Sequence, residues 1–349
     1  MNLLIKESNL FPKIGIIIPC YKARGLINNV VDEILIISDI LKEEYIINIY
    51  VVNDCCPEDS LNGLRKHNQI KVLNHSKNLG VGASTLTGFN SALKDKCDAF
   101  IKIDADGQHN PNYLLDLIPY LFTLENYKLT LIKGTRYFSP EITKNVPFVR
   151  RVGSIFLEPI CRGAICYRKL TDITNGFLAF NLNTLENILS PALGSKLHSR
   201  FLFESSILAK CSEIDCEIHE FAMISRYSPN IKSSLKSSNM IFPLSLFWIK
   251  TLNKRLLNKY FFSLNLGSIL LFISLFNVIY ALRLFFLRIY SNVSSNILVS
   301  AGTSSAFTSS ITISIICFCF FLLYDYGSGK TVKKIKFKTL IEELKLQKL

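Results

Sequence analysis

At 349 residues the chain is longer than the roughly 250 to 300 residues at which a single core stops growing, so one domain plus a further part is expected. Hydrophobic residues make up 49% and the mean hydropathy of +0.28 is high for a wholly soluble protein, with the apolar excess lying after residue 260. The net charge of +13 would suit nucleic acid, an anionic membrane or an anionic substrate. Position excludes nucleic acid: Lys250, Lys254, Arg255 and Lys259 precede the apolar part, and Lys330, Lys333, Lys334, Lys336 and Lys338 follow it, a membrane-flank pattern.

The segment Met1–Phe11 lacks a long apolar core, which predicts no cleaved secretory signal. Ile- and Val-rich runs at Ile14–Pro19, Ile47–Val52, Ile70–Asn74, Ala99–Ile103 and Thr130–Lys133 predict strands. Helical spacing between them predicts helices over Gly25–Leu41, Cys56–Lys66, Gly82–Lys94 and Pro111–Leu124. Strands alternating with helices imply an α/β domain with a mostly parallel sheet, whose ligands bind at the carboxyl ends of the strands. Periodicity weakens over residues 139–168, where four arginines suggest a lid or interface segment; Thr171–Glu220 returns to α/β composition, and Ser225–Asn239 reads as a loop.

Residues 241–260 mix apolar and basic residues as an interfacial amphipathic helix does. Two spans follow, at about 261–282 and 297–323, and a basic tail occupies 325–349. The connecting segment holds only Arg283 and Arg288, so both termini are expected on the cytoplasmic side of a plasma (inner) membrane. The ten cysteines form no Cys-x-x-Cys pair and read as reduced, mostly buried thiols.

The chemistry gathers after the fourth strand. Residues two apart in an extended segment project the same way, so Asp104 and Asp106 can share one hard cation, with the Gln108 amide as a third oxygen ligand; Mg2+ or Mn2+ fits oxygen ligands best. His109 reads as a turn residue. Gly80 and Gly82 before a helix suggest a dinucleotide site, but residue 85 is threonine and the pair follows the third strand. Their use is to let the loop pass close to a ligand. Arg150 and Ser154 lie one helical turn apart, and arginine suits bidentate contact with phosphate.

Taken with Ile16–Tyr21, Val51–Asp54, Asn78–Ala83 and Gly134–Arg136, these motifs resemble the inverting family 2 glycosyltransferases, and within them the polyprenyl-phosphate branch that includes dolichol-phosphate mannose synthases. The resemblance spans about residues 12–240 and implies a GT-A type, Rossmann-like nucleotide-sugar domain over 1–240. It implies donor contacts by Pro19, Tyr21, Asp54, Gly80 and Asp104, and a basic loop of Arg226, Tyr227 and Lys232, with Ser233 and Ser234, closing on the diphosphate. It implies a grip on the acceptor phosphate by Arg136, Arg150 and Ser154, and places Asp172, Asn175, Gly176 and Phe177 under the donor sugar. Asp104, Asp106, Arg136 and Asp172 are then the catalytic set. The chain departs from the family in having Cys55-Cys56 after Asp54, where Gly-Ser is usual.

The implied partners are a UDP- or GDP-sugar, polyprenyl phosphate and the membrane; a homo-oligomer is permitted. The rival reading is transfer to a sugar hydroxyl of a lipid-linked or polysaccharide acceptor, which needs a base, with Asp172 and Glu204 as candidates. A processive synthase is disfavoured because Gln-x-x-Arg-Trp is absent.

Overall fold

A computed structural model describes residues 11–125, 128–193, 195–227 and 238–346. Met1–Leu10, Lys232, Ser233, Ser234 and most of the expected 225–239 loop lie outside the described residues.

In chain order the elements are β1 (Lys13–Cys20), α1 (Leu26–Leu41), β2 (Ile46–Asn53), β3 (Ile70–Asn74), α2 (Val81–Lys94), β4 (Ala99–Lys102), α3 (Leu114–Thr123), β5 (Thr130–Thr135), α4 (Pro140–Thr143) and α5 (Phe148–Ile165). There follow β6 (Tyr167–Arg168), β7 (Leu178–Asn181), α6 (Leu182–Leu189), α7 (Phe203–Glu213), β8 (Glu217–Ala222), α8 (Ser238–Leu256), α9 (Leu266–Leu284), α10 (Ser291–Ser294), α11 (Ala301–Gly327), β9 (Lys330–Thr331), β10 (Lys333–Ile335) and α12 (Lys338–Leu346). They divide between two units, one of residues 1–161, 169–247 and 331–349, the other of 162–168 and 248–330.

In the first unit eight strands form one sheet in the order β10-β8-β5-β7-β4-β1-β2-β3. All neighbours are parallel except β7, which runs antiparallel to both β4 and β5. β1 is apolar and buried almost throughout, as a strand covered on both faces must be. α1 buries Ile27, Val30, Val31, Ile34 and Leu35 against it, the three-and-four spacing of one helix face. This is the α/β, mostly parallel GT-A arrangement expected from the sequence.

Three local readings are refined, for identifiable reasons. No helix forms over 56–66: Pro57 lacks a donor, Asp59 and Gly63 take left-handed φ of 47° and 80°, and only Leu61 and Leu64 reach the core. Residues 148–165, in the segment expected as a lid or interface, form α5. Its period is blurred because Phe148, Val149, Ile155 and Phe156 are exposed while Leu157 and Cys161 are buried, so apolar residues occupy both faces. The expected basic tail belongs to the fold: β10 pairs with β8, Phe337 and Leu340 are buried in the core, and Asp116 accepts from the Thr339 backbone (2.8 Å) and hydroxyl (2.6 Å).

In the second unit two apolar helices pack together. One runs through α9 and wider turns at Phe285–Tyr290 into α10, 29 residues in all, and the other is the 27-residue α11. Each exceeds the roughly 20 residues needed to cross a bilayer core, and their apolar windows are only 11% and 17% buried, unlike helices of a soluble core. The spans begin later than expected, because Asn265 caps α9 with Ser268 and Ser300 caps α11 at Thr303. Ser274 and Ser314 donate to each other's backbone carbonyls at 3.1 Å, hydrogen bonding between helices where no water competes. No disulfide joins any of the ten cysteines; five of them are buried, and Cys55 and Cys319 are exposed.

Candidate active site

The carboxyl ends of β1, β4 and β5, the turns after them, α5 and the start of α8 enclose a cavity of about 560 Å³ in the first unit. Lys102, fully buried at the end of β4, donates to Asp104 Oδ1 (2.6 Å) and to the Gly176 carbonyl (3.2 Å), and pairs with Glu204 (3.0 Å). An ammonium buried this completely persists only when paired. Burial opposes its charge, but the two carboxylates outweigh burial and hold its pKa above the usual lysine value.

Lys102 separates the fates of the two acids. Burial raises the Asp104 pKa, yet the adjacent ammonium overrides this and brings it down to about 2. Asp106 has no ammonium bonded to it; burial and the Asp104 charge push it up to about 6, against a backbone bond from Gln108 N–H (3.0 Å) and the more distant charges of Lys102 and Arg150. Gly107 takes the positive φ of 72° that turns the chain here. Gly176 has a different use: a Cβ there would lie 2.5 Å from Lys102 Nζ and 2.6 Å from Asp104 Oδ2 and would displace their ion pair.

His109 lies inside this turn. Its Nδ1 accepts the Asp104 N–H (3.2 Å), so the proton belongs on Nε2, which faces Asp104 Oδ2 at 3.8 Å. Burial depresses its pKa to about 4, so the ring is neutral at pH 7, and it stacks on Phe177 with centroids 5.3 Å apart. Among the described residues no group of three or more His, Cys, Asp or Glu is placed to hold a metal. Asp104, Asp106 and Gln108 all line the cavity, and this all-oxygen set fits a hard cation that takes further oxygens from a bound ligand.

Asp54 also lines the cavity, but both its oxygens are engaged: Oδ1 with His75 Nδ1 and Leu79 N–H (2.8 Å each), Oδ2 with Gly80 N–H (2.8 Å). Burial raises its pKa and these bonds outweigh it, giving a lowered value. It fixes the loop before α2, where Gly80 adopts φ 98°. Pro19, Tyr21 and Gly80 line the same cavity.

The arginines expected on the acceptor side differ. Arg136 makes a bidentate pair with Asp172 (Nε to Oδ2 2.7 Å, Nη2 to Oδ1 2.6 Å) and its backbone N–H adds a third bond (2.9 Å). Burial raises the Asp172 pKa and the guanidinium overrides it, leaving the carboxyl well below the usual range. Asp172 takes a left-handed φ of 50°, is fully buried and does not line the cavity. Asp172, expected in the catalytic set and as a candidate base for a sugar-hydroxyl acceptor, has both oxygens bonded to Arg136, which it anchors. Arg150 and Ser154 do line the cavity, with the Arg150 guanidinium over the Tyr227 ring at 5.9 Å.

Arg226 is not brought to this cavity. Its guanidinium pairs with Glu33 (2.8 Å) and donates to Asn110 (2.6 Å), and it lines a smaller hollow of about 250 Å³ together with Gly107. Sequence reasoning missed Lys102, His75 and Arg200, and the apolar lining from Met240, Ile241 and Leu244. A lysine inside an otherwise apolar strand two residues before Asp104 was the available signal.

The Glycosyl transferase family 2 profile matches residues 15–180. The UDP-N-acetylglucosamine–dolichyl-phosphate N-acetylglucosaminyltransferase of Methanococcus voltae is 28% identical over 211 residues, 58% of this chain and 82% of that protein. An uncharacterized protein of Methanocaldococcus jannaschii is 30% identical over 189 residues, 54% of this chain and 72% of that one. Mannosyl-3-phosphoglycerate synthase from Rubrobacter xylanophilus superimposes with a TM-score of 0.50 at 12% identity, over 71% of this chain and 75% of its own, a likeness of fold alone. With the strand order and the carboxylate turn, these matches show that the chain is a glycosyltransferase and belongs to glycosyl transferase family 2.

Proposed function

We propose that the protein moves a sugar from a UDP- or GDP-sugar to the phosphate of a polyprenyl lipid at the cytoplasmic membrane face, with inversion at the anomeric carbon. The observation that carries this reading is that one cavity has the Asp104–Asp106 carboxylates on one wall and Arg150 with Ser154 on another. A diphosphate donor suits the first through a cation and a phosphate acceptor suits the second directly.

Asp104 and Asp106, with the Gln108 amide, would hold Mg2+ or Mn2+, which supplies charge neutralisation for a departing diphosphate. Pro19, Tyr21 and the Asp54-braced loop at Gly80 bind the nucleoside. Arg150 and Ser154 orient the acceptor phosphate, and Arg136, fixed by Asp172, adds positive charge to the same cavity. A phosphate monoester with a second pKa of about 6 is already ionised at pH 7, so no strong base is needed. A sugar-hydroxyl acceptor would need one, and the two candidates are committed, Asp172 to Arg136 and Glu204 to Lys102. The named activity of the Methanococcus relative on dolichyl phosphate supports the lipid reading.

Two helices long and apolar enough to span a bilayer accord with a lipid acceptor whose chain stays in the membrane while its phosphate projects. The basic residues flanking the start of the first apolar helix and the end of the second outnumber Arg283 and Arg288, which lie in the last turns of the first, and this favours a cytoplasmic catalytic unit. The test is incubation of the purified protein with a panel of UDP- and GDP-sugars, Mn2+ and polyprenyl phosphate. A glycolipid formed from one donor is expected; transfer only to free or lipid-linked sugars would refute the acceptor.

A further inference from the structure

Helix α12 comes after both apolar helices in the chain, yet it reaches the turn that follows the carboxylate pair. The Glu343 side chain accepts the Tyr113 hydroxyl at 2.5 Å through Oε2 and hydrogen-bonds Asn110 Nδ2 through Oε1. Asn110 is 1% exposed and directly follows His109, the residue that holds the Asp104 N–H. Its Oδ1 accepts Asn112 N–H (3.0 Å), starting the short turn into α3, and also Arg226 Nη2 (2.6 Å). Tyr113, fully buried, passes the contact on: its oxygen accepts Ile224 N–H (3.1 Å). Arg226 N–H in turn donates to the Gln108 carbonyl (3.1 Å).

The side chain of Glu343 thus bonds two groups on the metal-turn side of the core, and those groups hold both edges of the segment 108–113 and the strand exit at 224–226. α12 is itself fixed, by Thr339 on Asp116 and by buried Leu340. A carboxylate on an anchored helix, spent entirely on neutral donors of an active-site turn, is more than surface decoration.

We propose that Glu343 is a positioning residue for the Asp104–Asp106 turn: through Asn110 and Tyr113 it sets the turn that presents both carboxylates and His109 to the cavity. The cation and the transfer reaction rest on the function proposed above; the bracing of the turn does not. Partners that orient ligands from outside the first layer typically change metal affinity or activity by about 10- to 100-fold when removed, and a braced turn falls at the lower end.

The test uses the full-length protein in detergent or vesicles, with three readouts on E343A, E343D and E343Q. First, amide hydrogen exchange without metal or substrate: Gln108 and Asn112, whose N–H groups bond Asp106 and Asn110, are expected to exchange about fivefold faster or more in E343A. Second, Mn2+ half-saturation is expected to rise about tenfold and kcat to fall about tenfold in E343A, measured well below its Tm. Third, E343Q, which keeps the reach and one acceptor, should recover most of both. A purely structural role would lower Tm and leave the exchange of these two amides, Mn2+ half-saturation and kcat within twofold, and that result overturns the proposal. Should E343A not yield folded protein, E343D keeps the charge but is one methylene short; the same exchange shift in smaller degree supports the proposal, and unchanged exchange overturns it. If the unaltered protein transfers no sugar from any donor, the functional reading fails while the exchange measurement still decides the role of Glu343.

Discussion

The strand-end wall and the helix wall of the cavity carry similar charges in opposite states of satisfaction. At the strand ends every charged group is bonded to protein: Lys102 to Asp104 and Glu204, Arg136 to Asp172, Asp54 to His75 and two backbone N–H groups. On α5, Arg150 meets an aromatic ring, and among the described residues it has no carboxylate within 4.0 Å. The difference teaches a division of labour. Groups that must hold fixed geometry are cross-braced on the sheet, whereas a group meant for an incoming phosphate keeps its hydrogen-bonding capacity for it.

Stability should separate the walls most sharply. Removing one partner from a buried ion pair costs about 3 to 5 kcal/mol, so Lys102→Met should lower the unfolding free energy by that amount, and a second change, Glu204→Gln, should restore part of it. Thermal or denaturant unfolding in detergent checks this; a Lys102→Met protein as stable as the unaltered one contradicts the bracing. Asp172→Asn should cost about 3 kcal/mol for the same reason, and should lower kcat because Arg136 loses its anchor.

Arg150→Ala should behave oppositely. As a partly exposed residue off the core it should change stability by less than about 0.5 kcal/mol, yet raise the KM for polyprenyl phosphate roughly tenfold or more, the loss of one charge-assisted hydrogen bond. Equal stability losses for Arg150→Ala and Asp172→Asn would erase the contrast.

A pH titration sharpens the strand-end side further. With Asp106 at about 6, protons compete with the cation below that pH, so Mn2+ affinity should fall as pH drops from 7 to 5, approaching tenfold per unit below 6. Calorimetry or Mn2+ paramagnetic resonance would measure it, and affinity flat over this range would contradict the assignment. The smallest effect is expected for Ser154→Ala, about two- to tenfold in acceptor KM, as fits a single neutral hydrogen bond.

How much of this was legible depended on the range of the information. Asp104-Ala105-Asp106 stands out at a strand end, although alone it could be a surface turn and only the motifs around it make it a site, and the glycines at 80 and 82 mark close approach. The pairing of Arg136 with Asp172 joins residues 36 apart, and nothing local to Asp172 distinguishes an anchor from a base. The charges of 333–338 were read as a membrane flank, but Lys334 bonds buried Glu220, 114 residues earlier, and the Asp116 carboxylate accepts the Thr339 N–H in the first turn of α12. α5 hid its helix because its apolar residues serve two surfaces at once.

The central claim is that Asp104 and Asp106 bring a nucleotide-sugar, through a cation, to an acceptor phosphate. The most direct measurement is transfer of radiolabelled sugar from the productive donor to polyprenyl phosphate by purified Asp104→Asn beside the unaltered protein, at saturating Mn2+. Loss of several kcal/mol of charge stabilisation predicts a fall of roughly 10³-fold with folding retained. Transfer by Asp104→Asn at the unaltered rate would contradict the account.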